Sequence, residues 1–129
     1  ARSVRCGKVT TMARQLQVES AEFVSAALAR FDAGSRHDVR ALVKHFLATL
    51  VQQAPGRSVE VRVPPYSAVQ CIPGVRHTRG TPPAVVELDA DTFLSLARGS
   101  LGWDEAVAQG LVRASGERAD LSPWLPLSG

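Results

Sequence analysis

Apolar residues recur every three to four positions over residues 19–32. Phe23, Val24, Ala27, Leu28 and Phe31 share one face there, which predicts an amphipathic helix closed by Gly34. Ser35, with Asp38 three residues later, reads as a capping box opening a second helix. Val39, Leu42, Val43, Phe46, Leu47, Leu50 and Val51 keep the helical period to Ala54, and Pro55-Gly56 stops it. The period then changes to two. Val59, Val61 and Val63 alternate with polar neighbours, predicting a half-buried strand over 58–63. Tyr66 to Ile72 reads as a second strand, paired antiparallel with the first. Residues 75–81 read as extended and partly exposed, and Ala84 to Leu88 as a third strand.

Asp89 caps a short helix over 90–98, closed by Gly99. A further helix covers 103–109, with Asp104 and Glu105 in its first turn, where acids oppose the helix dipole. Leu111 to Ser115 is a last strand, and the tail gathers Leu121, Trp124, Leu125 and Leu127. The order is helix, helix, three strands, helix, helix, strand, apolar tail. It predicts an α+β fold with a mostly antiparallel sheet and helices on one face.

Charge changes this picture only at one end. The sequence pI is about 9.4, but Arg2, Arg5, Lys8 and Arg14 sit in residues 1–18 without an acid. The remainder carries 11 basic against 12 acidic residues. Residues 1–18 therefore read as a flexible basic arm and 19–129 as one domain, with no nucleic-acid partner. No apolar run of about 18 residues predicts a membrane span, and the opening residues lack the apolar stretch of a signal peptide. Two cysteines, Cys6 and Cys71, make no disulfide framework; a reduced, cytoplasmic protein is the simplest reading, with a Cys6–Cys71 bridge as the alternative.

The chain holds no Walker loop, no Gly-x-Gly-x-x-Gly and no CxxC. His37 and His45 are eight apart, not the spacing of a helical metal pair, so neither metal nor cofactor is expected. Cys71 beside His77 would make a thiolate–imidazole pair only if folding joined them; a small buried hydrophobe is the commoner role. Arg76, His77 and Arg79 lie within four positions in a Gly/Pro-bounded segment. They can clamp a carboxylate or phosphate, or simply be solvated and paired with Glu60 or Glu87. The stripe Phe93, Leu96, Ala97, Trp103 and Val107 fits core and pocket wall equally. Trp124, Leu125 and Leu127 either close the core or cover a cavity; burying Trp124 is worth about 2–3 kcal/mol in both cases.

The acid-capped helix Asp89 to Gly99, the short helix Trp103 to Gly110, the strand Leu111-Val-Arg-Ala-Ser-Gly and the final Ala119-Asp-Leu-Ser-Pro-Trp-Leu-Pro-Leu resemble the sterol carrier protein 2 family. His77-Thr-Arg-Gly-Thr-Pro-Pro-Ala-Val-Val-Glu is similar to its bacterial branch. The resemblance spans about 19–127 and is specific over 58–127. The Pro-Pro pairs at 64–65 and 82–83 and the Arg76–Arg79 insert depart from the family pattern. The resemblance implies a five-stranded sheet, helices on one face and an apolar cavity between. It further implies non-enzymatic binding of a fatty acid, acyl-CoA or sterol. The expected apolar wall is Phe46, Phe93, Leu96, Trp103, Val107, Leu121, Trp124 and Leu125, with Arg76, His77 and Arg79 at the polar end. The alternative is an interaction or accessory domain with a filled core, acting as a homodimer.

Overall fold

The computed structural model describes residues 17–74, 84–116 and 119–127. Helix α1 spans Ala21–Asp32. Ser20 caps it, its hydroxyl oxygen accepting from the Phe23 amide at 3.1 Å. Only Val24 and Ala27 are fully buried, so α1 lies at the margin of the core. Helix α2 spans Val39–Gln53 and is buried nearly all round from Leu42 to Leu50. It packs on α1, on helix α3 (Ala90–Arg98) and on strand β2 (Ser67–Cys71).

The start of α2 corrects the expected capping box. The helix begins at Val39, and Asp38 makes no side-chain cap bond. Its carboxylate is taken instead by Arg30 of α1, at 2.7 and 3.1 Å. The bidentate grip of a guanidinium satisfies both carboxylate oxygens, which a single cap bond does not. That bond, assisted by the Arg30 charge and opposed by desolvation, holds the Asp38 carboxyl below its ordinary range. Its stabilising contribution is complete above the ordinary carboxylate range and is lost as pH falls through the lowered folded value. In urea melts from pH 7 to pH 2, the stability gap between wild type and Asp38→Asn should therefore close on acidification. A gap constant with pH would contradict the assignment.

Strands β1 (Val59–Val63), β2, β3 (Ala84–Leu88) and β4 (Val112–Ser115) form a four-stranded sheet of order β2-β1-β3-β4. β1 pairs antiparallel with β2, Val61 opposite Val69, as expected of two successive strands joined by a short connection. β3 pairs with β4 antiparallel, Leu88 opposite Val112, but with β1 in parallel, Val61 opposite Val86. The sheet is mixed, and the described residues hold four strands rather than five. Period-two alternation sends Val59, Val61, Val63, Val69, Cys71, Val86, Leu88 and Val112 to one buried face. That face shares one apolar cluster with α2 and α3. Glu60, Arg62, Gln70, Glu87 and Arg113 line the other, polar face.

The connections agree with the residues that make them. Asp89 accepts from the Thr92 amide at 2.8 Å and caps α3; Gly99 ends it in the left-handed conformation at φ 86°. Helix α4 spans Trp103–Ala108, and a single 3-10 turn covers Ser122–Trp124 in the tail. The tail is tied to α3 by the Leu127 amide, which donates to the Ala97 carbonyl at 2.9 Å.

Candidate functional site

An open cleft of about 450 Å³ lies where the end of α3, the start of α4 and the C-terminal segment converge. Local sequence explains the convergence. Gly99 reverses the chain, and Gly102 stands in extended conformation before Trp103, the first residue of α4. The tail folds back because Leu121 and Leu127 are buried and Leu127 is bonded to α3. Leu125 and Pro126 are thereby laid against Gly99, where a Cβ would meet Pro126 at 3.2 Å. The cleft is lined by Gly99, Gly102, Trp103, Asp104, Glu105, Ser122, Leu125 and Pro126.

The expected wall residues divide between core and cleft. Phe46, Phe93, Leu96 and Leu121 are buried in the apolar cluster. Trp103, at 9 % exposure, joins that cluster to the cleft. Leu125 lines the cleft, and half-buried Trp124 packs against the cluster beside it. Val107 stands apart, 44 % exposed on α4. Arg76, His77 and Arg79 lie outside the described residues. In sequence, Asp104 and Glu105 are explained by the helix dipole alone; the fold adds Leu125 and Pro126 to the same cleft.

Two further groups bear on chemistry. His45 is fully buried, edge-on to Phe46 with centroids 4.8 Å apart, and its Nδ1 accepts from the Glu19 amide at 2.9 Å. That bond fastens the lead-in of α1 to α2. Cys71 is buried in β2, and burial pushes its thiol up to about 12. At pH 8 iodoacetamide should leave Cys71 unmodified in the native protein and modify it fully in guanidinium chloride, read by peptide mass mapping. Rapid native labelling at Cys71 would contradict this burial. Among the described residues, no group of three His, Cys, Asp or Glu side chains is placed to hold a metal ion. No helix among them is long and apolar enough to cross a membrane.

A family model described as the bacterial SCP ortholog matches residues 35–127. The chain belongs to this family. The matched segment begins at Ser35, after α1, and takes in α2, the whole sheet, the cleft and the C-terminal segment. The bacterial sterol-carrier-like branch expected from the motifs of residues 77–127 is therefore the right one. No curated protein matches the chain.

Proposed function

We propose that this SCP-family chain binds an apolar, lipid-like ligand and does not transform it. The observation that carries the reading is the cleft, with Trp103 reaching from it into the apolar cluster. A ligand entering along Leu125 and Pro126 exchanges water for apolar side chains, which is the main driving force for holding a chain or a ring system. A hollow extending inward between sheet and helices, walled by Phe46, Phe93, Leu96 and Leu121, and a fifth strand completing the sheet belong to the same proposal. So does contact of Arg76, His77 and Arg79 with a polar end. Fatty acids, acyl-CoA and sterols are the ligands to try first.

The test is a melting series with each ligand. A ligand that binds only the folded chain stabilises it by about 2.7 kcal/mol at a hundredfold excess over its Kd. A rise in Tm that grows with concentration supports the proposal. An unchanged Tm across fatty acid, acyl-CoA and sterol series would contradict it.

A second reading has its own observation. Val107 and Leu111 are 44 % and 38 % exposed on the α4–β4 corner, an apolar pair that suits a protein contact. Light scattering showing a dimer that Leu111→Ser dissolves would favour this interaction role.

A further inference from the structure

Helix α1 is the least committed part of the fold. It lies outside the segment matched by the family model, and it buries only Val24 and Ala27 completely. Polar contacts fasten it at both ends. At its C-terminal end Arg30 holds Asp38 at 2.7 Å, and Arg98 holds Asp32 at 2.8 Å. At its N-terminal end the Glu19 amide donates to Nδ1 of His45 at 2.9 Å. His45 belongs to α2, is fully buried, and stands edge-on to Phe46 of the apolar cluster.

The two ends answer differently to acid. An imidazole nitrogen accepts a hydrogen bond only while it carries no proton. A proton on Nδ1 sets one N–H against another and leaves a cation out of reach of water, which is costly. The group that stands against Nδ1 is the lead-in of α1, so moving that lead-in both ends the clash and admits water. At the other end, the guanidinium bonds of Arg98 and Arg30 hold the Asp32 and Asp38 carboxyls below the ordinary carboxylate range, and both pairs persist at pH 5.5. The remaining charged and titratable groups are placed as follows. Lys44 precedes His45 on α2, and Glu19 and Glu22 are exposed at the start of α1. On α3, Asp91 is held by Arg36 and Arg98 by Asp32. The inner face of β2 brings only Cys71, whose thiol burial keeps protonated.

We infer that His45 is an acid-sensitive latch on α1. With Nδ1 unprotonated it holds the N-terminal end of the helix down on α2. Protonation releases that end, while the ion pairs keep the other end hinged, and the His45–Phe46 side of the apolar cluster is bared. The latched form excludes the proton and the open form accepts it, so acid favours opening, by at most about tenfold per pH unit.

The experiment is hydrogen exchange of the full chain at pH 7.5 and pH 5.5, read by peptide mass spectrometry and corrected for the intrinsic rate. Protection of α1 should fall about tenfold or more between the two, while that of α2 stays constant. Histidine NMR over the same range should show Nδ1 unprotonated at pH 7.5 and its protonation coinciding with the loss of α1 protection. In His45→Asn an acceptor that does not titrate stands the same number of bonds from the backbone, and α1 protection should no longer depend on pH. If α1 stays protected at pH 5.5, or loosens while His45 remains neutral, the latch is overturned; the wild-type chain decides this even if the variant fails to fold. Equal loosening in a folded His45→Asn would likewise overturn it. No ligand is present, so the outcome is independent of lipid binding.

Discussion

Phe93→Ala should lower the free energy of unfolding by about 3–5 kcal/mol. Phe93 is 1 % exposed, heads the largest fully buried side chains, and lies in the cluster shared by α2, α3 and the inner sheet face. Removing its ring deletes apolar contact and leaves a void that the capped helix α3 cannot collapse to fill. Small domains are stable by only about 5–15 kcal/mol, so the loss is a large fraction of the total. Urea melts would show it as a lower midpoint with little change in slope. Leu111→Ala, on the exposed corner, is the control and should stay within about 0.5 kcal/mol of wild type. A Phe93→Ala loss as small as that of the control would mean that the inner face is not packed as described.

Gly56→Ala should cost at least about 2 kcal/mol, and more than Gly34→Ala. Both glycines have positive φ, 149° and 105°, where an L side chain is strained by about 1–2 kcal/mol. They differ in surroundings. A Cβ at Gly34 meets nothing within 4 Å, whereas one at Gly56 collides with the Ile72 carbonyl. That carbonyl cannot withdraw, because it is held by the Ser58 hydroxyl at 2.7 Å and the Ser58 amide at 3.2 Å. Ile72 itself sits at φ 72°, an outlier for a β-branched residue, and its amide donates to the Ala54 carbonyl. The α2–β1 connection and the end of β2 are thus stitched together. Equal losses at the two glycines in paired urea melts would show that the stitch yields.

Much of this fold is written in local signals. The cap at Asp89, the stop at Gly99 and the alternation of Val59, Val61 and Val63 each act over a few residues, and each appears where the sequence places it. Signals that need a distant partner were not legible. Asp38 reads as a cap until Arg30 reaches it from the neighbouring helix. The parallel pairing of β1 with β3 leaves no mark in either strand, because alternation fixes which face is buried but not the neighbour's direction. The candidate site divides the same way. Apolar spacing found Trp103 and Leu125 without telling wall from core, since both need the same residues. The carboxylates Asp104 and Glu105 join the site only through the tail folding back over Gly99.

Native mass spectrometry of the freshly purified protein reads directly whether a lipid-like molecule is bound. A population heavier than the 13.8 kDa chain by one small apolar molecule is expected, released by organic solvent and regained on adding a lipid. A spectrum of bare chain alone, unchanged by fatty acid, acyl-CoA or sterol, would contradict lipid binding.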